Sequence, residues 1–303
     1  MRRALITGVG GFCGRHLAQY LATQGVEVYG ISRNAFFDKC SRFPDLVDAA
    51  SLVPAIKASR PNYIFHLAGV TISEDPATFY RVNAVYAASL LHALEVTGYH
   101  DRPVLLVGTA AEYGMISPDQ MPMNEDSIPR PYSDYGISKF AQTLLGLATA
   151  KRGRPIVMVR PFNIIGPGMP CHLVVQSFAT QIARILKRDM PPIVQVGNLG
   201  SSRDFIDVAD AVEIYWQLVQ TPAAYGEIVN VCSGSPIMIG DILTRLATLA
   251  CIRIEVQTDP RRFKAVDVPV HYGSTEKLRR ILGRASTMSL DLSLGRVLEA
   301  AMR

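Results

Sequence analysis

The sequence predicts an α/β fold, a doubly wound parallel sheet followed by a smaller C-terminal lobe. Three observations lead there. Apolar runs of strand length alternate with segments of helical period, a glycine-rich loop separates the first strand from the first helix, and proline and glycine cluster after Phe162. Near-continuous apolar strands between helices indicate a sheet covered on both faces, with right-handed crossovers.

The elements follow in order. Residues 4–7 read as the first strand, and the loop Gly8-Val9-Gly10-Gly11-Phe12-Cys13-Gly14 leads into a helix over 12–23. The basic start Met1-Arg2-Arg3 imitates an export signal, but the apolar run breaks at the glycine loop, so a cytoplasmic protein is expected. Further strands are expected at 26–32, 63–68, 104–110, 156–162 and 228–232, and helices at 49–58, 79–96, 135–150 and 173–188. Residues 1–162 then form a dinucleotide-binding domain and 163–303 a substrate lobe. The stretch 203–226, with a helix over 207–220, returns to the first domain.

Composition narrows the function. Hydrophobic residues make up 49% and charged residues 19%, ordinary for a soluble enzyme, and no apolar run reaches membrane-spanning length. Cys13, Cys40, Cys171, Cys232 and Cys251 are scattered and form no Cys-x-x-Cys pair, which fits reduced thiols and gives no metal site. The net charge of +5 comes from isolated doublets such as Arg2-Arg3 and Arg279-Arg280, not from a run. That pattern argues against nucleic acid and suits small anionic ligands such as nucleotide cofactors and nucleotide sugars.

Gly8, Gly11 and Gly14 lie between strand and helix, where glycine lets the backbone approach a pyrophosphate at the helix N-terminus. This is the context of a Rossmann-type dinucleotide site. Tyr135 and Lys139 are four apart and share a helix face, so the ammonium is expected to lower the phenol's pKa. A tuned phenol exchanges a proton with a carbonyl/alcohol pair. Thr109 follows the apolar run Val104-Leu105-Leu106-Val107-Gly108. Any one of these is ordinary, because a Tyr-x-x-x-Lys pair is commonly a solvated face and a threonine commonly a strand residue. Their occurrence together points to nicotinamide-dependent redox chemistry. Ser32 and Arg33 end the second strand where NAD-selective sites carry an acid, and an arginine there accommodates a 2′-phosphate. NADPH is the expected cofactor, with NADH as the alternative; read alone, Arg33 is equally a surface residue of a loop.

The Gly-x-x-Gly-x-x-Gly spacing with Thr109, Tyr135 and Lys139 resembles the extended short-chain dehydrogenase/reductase superfamily, in its NAD-dependent epimerase/dehydratase group. The resemblance implies that Phe12 and Cys13 belong to the cofactor loop and that Asp45 and Leu46 flank the adenine. It also implies that Leu67, Ala68 and Gly69 pass beneath the cofactor and that Asn83 supports the site. Thr109 would hydrogen-bond the substrate oxygen, Tyr135 would pass it a proton, and Lys139 would bind the nicotinamide ribose. Nucleotide-sugar 4,6-dehydratases read Thr-Asp-Glu or Thr-Ser-Glu where this chain has Thr109-Ala110-Ala111. Alanine exchanges no proton, and Glu112, one residue later on a strand, would face the other way. Elimination therefore lacks its base, leaving 4-epimerisation or keto reduction.

Arg160-Pro161-Phe162-Asn163, Arg203-Asp204-Phe205, Asn230-Val231-Cys232-Ser233-Gly234 and Arg261-Arg262-Phe263-Lys264 resemble the GDP-mannose 4,6-dehydratase group, and within it the keto-sugar reductases. The resemblance implies NAD(P)H-dependent reduction of the C4 ketone of a GDP-4-keto-6-deoxy sugar, contacted by Asn163, Arg203, Arg261, Lys264 and Asp267. Lys264 and Asp267 depart from the group's Arg-Pro-x-Glu, and Gly283-Arg284-Ala285-Ser286 departs from its Gly-Trp-x-Pro. A homodimer through the helices 79–96 and 135–150 is also implied, with Val85, Leu144 and Leu145 turned to the partner or to the sheet. The alternatives are a nucleotide-sugar 4-epimerase holding NAD tightly and a non-catalytic dinucleotide sensor. A sensor would need none of Thr109, Tyr135 and Lys139.

Overall fold

The structure, a computed structural model, describes residues 1–33, 39–42, 48–263 and 268–303; Asp45, Leu46, Lys264 and Asp267 lie outside the described residues. The first half runs β1 (Arg3–Thr7), α1 (Phe12–Thr23), β2 (Glu27–Ser32), β3 (Cys40–Arg42), α2 (Ala49–Ser59), β4 (Tyr63–His66), α3 (Pro76–Phe79), α4 (Tyr86–Val96), β5 (Val104–Val107), α5 (Asp134–Ala150) and β6 (Ile156–Pro161). The second half runs β7 (Asn163–Ile165), α6 (Val174–Leu186), β8 (Ile193–Val196), β9 (Ser202–Asp207), α7 (Val208–Val219) and β10 (Ile228–Val231). It ends with β11 (Pro236–Met238), α8 (Ile239–Leu249), β12 (Glu255–Thr258), β13 (Val270–His271), α9 (Glu276–Leu282) and α10 (Leu290–Met302).

Seven strands form one sheet in the order β10-β6-β5-β4-β1-β2-β3, every pair parallel. Thr7 pairs with Ile31 on one side and His66 on the other, so the strand order reverses between β1 and β4 and opens a crevice at their carboxyl ends. One face of the sheet is covered by α1 and α7, through Leu17, Leu21, Val212 and Tyr215. The other is covered by α2 and α4, through Leu52, Ile56, Leu90 and Leu94. A four-stranded sheet centred on β9 and a separate core among α6, α8 and α10 make the lobe.

Several boundaries differ from expectation. The returning segment is shifted from 203–226 toward the C-terminus: its strand part, β9, stays with the lobe, α7 packs on the large sheet, and β10 joins that sheet beside β6. The long helix begins earlier, at Pro76, and passes through a π-helical turn, Tyr80–Val85, before α4. Strand β5 stops at Val107 and not at residue 110, because Thr109 and Glu112 form a capping box around a short 3-10 helix, Ala110–Glu112. The strand argument for Glu112 therefore does not apply. Its side chain is turned inward by that capping box and is fully buried.

Helix α5 is inverted in polarity. Lys139, Gln142 and Thr143 face the sheet, while Leu144 is 50%, Leu145 36% and, on the neighbouring π-helical turn, Val85 42% exposed. These three apolar side chains do not face the sheet.

Candidate active site

The glycine loop crosses the crevice just past β1. Gly8 has φ +73, and a Cβ there would stand 2.6 Å from Ala68 N, so the loops after β1 and β4 are in contact. A Cβ on Gly14 would stand 2.2 Å from Gly8 O, which keeps α1 tight against the strand. Gly11 is the N-cap of α1 without a side-chain cap, and the first turn carries no acid. Its open N–H groups and the cradle left by absent side chains fit a dinucleotide pyrophosphate. Phe12 packs between the two cores, Cys13 is pushed up to about 12 by burial, and Ser32 lies against Gly10. Arg33 is exposed at the end of β2.

Asn83 sits on the π-helical turn, fully buried. Its Oδ1 accepts from Val70 N at 2.9 Å, while Nδ2 donates to Val70 O at 3.1 Å and to Ser138 Oγ at 2.9 Å. It thereby ties the Leu67-Ala68-Gly69 loop to α5 and acts on the site through that loop.

At the other side of the crevice Ser133 caps α5, its Oγ accepting from Gly136 N at 3.1 Å, which aims Tyr135 at the turn after β5. Thr109 and Tyr135 line the same cleft there, and the Thr109 hydroxyl accepts from Ala111 N at 3.2 Å. Burial pushes the phenol up to about 12, the neighbouring Thr109 hydroxyl opposes the rise, and Glu112 adds to it. The expected depression by Lys139 does not occur. The Lys139 Nζ is turned to Gln142 Oε1 at 2.8 Å, and Gln142 Nε2 in turn donates to Val107 O at 3.0 Å. Burial lowers Lys139 to about 8, with Glu112 opposing. A Cβ on Gly69 would stand 3.6 Å from this Nζ, which puts the ammonium beside the cofactor loop.

Thr109 and Tyr135 open onto a cleft of about 280 Å³ whose walls include Ala110, Ala111, Phe162, Asn163, Arg203 and His271. Asn163 Nδ2 donates to Asp204 O at 2.7 Å, and Arg203 Nη1 donates to Ser202 O at 2.8 Å and Val268 O at 2.7 Å. Arg203 and His271 are register partners on β9 and β13. Burial and Arg203 lower His271 to about 4, so it is a neutral donor and acceptor. Arg261 does not line the cleft; it is exposed and forked onto Asp259 at 3.0 and 3.1 Å. Sequence reasoning missed Gln142, whose spacing from Lys139 was the available signal, and His271, on a two-residue strand that leaves no periodic trace. Among the described residues there is no cluster of metal-ligand side chains and no helix long and apolar enough to cross a membrane.

Residues 4–232 match the family described as NAD dependent epimerase/dehydratase. The chain belongs to that family. Within the epimerase/dehydratase family it is 32% identical over 302 residues to GDP-6-deoxy-D-mannose reductase of Pseudomonas aeruginosa, covering 98% of this chain and 96% of the relative. It is 28% identical over 285 residues to GDP-6-deoxy-D-talose 4-dehydrogenase of Aggregatibacter actinomycetemcomitans, covering 93% and 91%. The solved structure of RMD from Pseudomonas aeruginosa complexed with NADPH superposes with a TM-score of 0.89 at 30% identity, covering 100% of this chain and 99% of that one. These family members are nucleotide-sugar oxidoreductases by name, and the glycine cradle, Tyr135 and Lys139 of this chain stand in a fold of the same kind.

Proposed function

We propose that this protein reduces the C4 ketone of a GDP-4-keto-6-deoxy-hexose with NADPH. The observation that carries the proposal is the cleft itself: Thr109 and Tyr135 stand together at its wall beside Ala110 and Ala111, which exchange no proton. The relatives named for GDP-6-deoxy-sugars and the neighbour complexed with NADPH support the substrate class and the cofactor.

Bound nicotinamide supplies hydride. The chain does the rest. Thr109 and Tyr135 together receive the ketone oxygen, and Tyr135, holding its proton to about pH 12, donates it as negative charge develops there. Lys139 offers its ammonium donors on the cofactor side. Arg203 and Asn163 face the far part of the substrate, where a guanidinium suits a diphosphate. Arg261, Lys264 and Asp267 are assigned to the nucleotide end on the family resemblance. Val85, Leu144 and Leu145 are assigned to a homodimer interface through α4 and α5, and the protein to the cytoplasm.

The test feeds GDP-mannose and GDP-4-keto-6-deoxy-mannose separately and follows NADPH absorbance and the sugar products. Only the keto sugar should be consumed, together with NADPH. Keto-sugar formation from GDP-mannose would overturn the proposal. Purification with retained NAD+ and no NADPH consumption would make the protein a 4-epimerase instead.

A further inference from the structure

We infer that Glu112 is a positioning residue that holds Thr109 in register with the helix carrying Tyr135 and Lys139. The inference rests on the assignment of those three as the catalytic group. The Glu112 carboxylate is fully buried and joins three elements. Its Oε1 accepts from the backbone N–H of Thr109 at 3.0 Å. Its Oε2 accepts from the Thr143 hydroxyl on α5 at 2.9 Å and from Arg160 Nε on β6 at 2.8 Å. Thr143 lies one turn beyond Lys139 and two beyond Tyr135, so anchoring it sets the rotation of the whole catalytic face. A Cβ on Gly108 would stand 2.3 Å from Glu112 Oε1 and 2.9 Å from Val159 O, so the chain leaves a side chain out where the carboxylate sits.

Stability alone is a poor reason for this arrangement. A buried ion pair repays its desolvation only with good geometry, and apolar side chains of similar volume often do as well. Here the guanidinium is itself fixed, lying 4.6 Å over the Tyr113 ring, whose hydroxyl donates to Asn230 Oδ1 at 2.7 Å. What the carboxylate supplies is direction. It holds the N-cap of the turn that presents the Thr109 hydroxyl, and it holds the helix that presents the phenol. It does not line the cleft and is not a base for elimination.

Electrostatics point the same way. The titratable groups acting on Tyr135 and Lys139 are Glu112 and Cys13, with His66 and Tyr215 beside them. Burial favours protonated Cys13 and Tyr215 and neutral His66, and it raises Glu112 as well, opposed by Arg160 and by the hydrogen bonds from Thr109 and Thr143. Paired with Arg160, the Glu112 carboxylate raises both Tyr135 and Lys139 and favours the protonated forms that serve ketone reduction.

Two variants test this. Glu112→Leu with Arg160→Met removes the carboxylate's ties without stranding a buried charge, and Thr143→Val removes only the tie to the helix. In the double variant kcat should fall about 10- to 100-fold, the cost of a small misplacement at the reacting atoms, while NADPH affinity stays within about twofold. The alkaline limb of kcat should also move to lower pH, because the Glu112 carboxylate that raises Tyr135 and Lys139 is then absent. A folded double variant with wild-type kcat and an unshifted limb would overturn the inference. If it does not fold, Thr143→Val decides: kcat should fall about five- to tenfold with cofactor affinity kept, and unchanged kcat would overturn the inference. Tyr135→Phe run alongside separates the two levels. An active Tyr135→Phe would remove the catalytic assignment itself, whereas an inactive one beside fully active Glu112 and Thr143 variants would remove only the role of Glu112.

Discussion

The two ends of the cleft are built differently. At the cofactor end the glycine loop, Ala68 and Thr109 each follow directly on a strand of one parallel sheet, β1, β4 and β5 in turn. Where the strands go, these residues go. At the substrate end Asn163, Arg203 and His271 come from β7, β9 and β13, where the short strands β7 and β13 meet only by pairing with β9. Asp204 pins that meeting, accepting from Ser233 N and Ser233 Oγ, both at 2.7 Å, and from Gly234 N at 2.9 Å. On the proposed function, the end built on the large sheet carries the chemistry and the end assembled from distant pieces carries selection. Substitutions should divide the same way, between kcat and KM.

The hardest test of that division is Tyr135→Phe, which removes the proton donor and keeps the ring. We expect kcat to drop by about 10²- to 10⁴-fold with NADPH affinity near wild type, measured by steady-state kinetics and cofactor titration. Wild-type turnover would break the comparison at its cofactor end. Arg203→Ala tests the other end. It should raise KM for the nucleotide sugar by roughly tenfold to a hundredfold, the worth of a charge-assisted hydrogen bond, and change kcat little. Equal losses in kcat with KM unchanged would mean that the two ends are not separable.

A finer test lies within the cofactor end. Arg33→Ala should weaken NADPH about tenfold and leave NADH alone, since only NADPH carries the 2′-phosphate. Equal effects on both would make Arg33 a loop residue. The smallest effect should come from pH. Burial brings Lys139 down to about 8, so its ammonium is present below that value and lost above it, while Tyr135 keeps its proton to about 12. We expect kcat to fall a few-fold as pH rises through 8, with KM for the sugar showing no matching limb. A kcat flat to pH 10 would separate Lys139 from turnover.

Legibility in the sequence followed the same line. Helix α1 was legible to the residue, because an apolar strand, a glycine turn and a helix of regular period are local patterns. Strands β7, β11 and β13 were not, being two or three residues long and held by partners far away in the chain. The conformation after β5 also escaped, since Thr109 and Ala110 continue a strand pattern and only the Thr109–Glu112 cap breaks it.

The sequence by itself determined the parallel sheet, the glycine turn between β1 and α1, and the helix that carries Tyr135 and Lys139. Strand and helix periods and backbone-permissive glycines act over a few residues, so they can be read in order. Only the tertiary structure decided that α5 turns Lys139, Gln142 and Thr143 inward and Leu144 outward. It alone also decided that Glu112 is spent on Thr109, Thr143 and Arg160, and that Arg203 stands beside His271. Burial, pKa and partner choice depend on which distant groups share a site, and no local pattern records that.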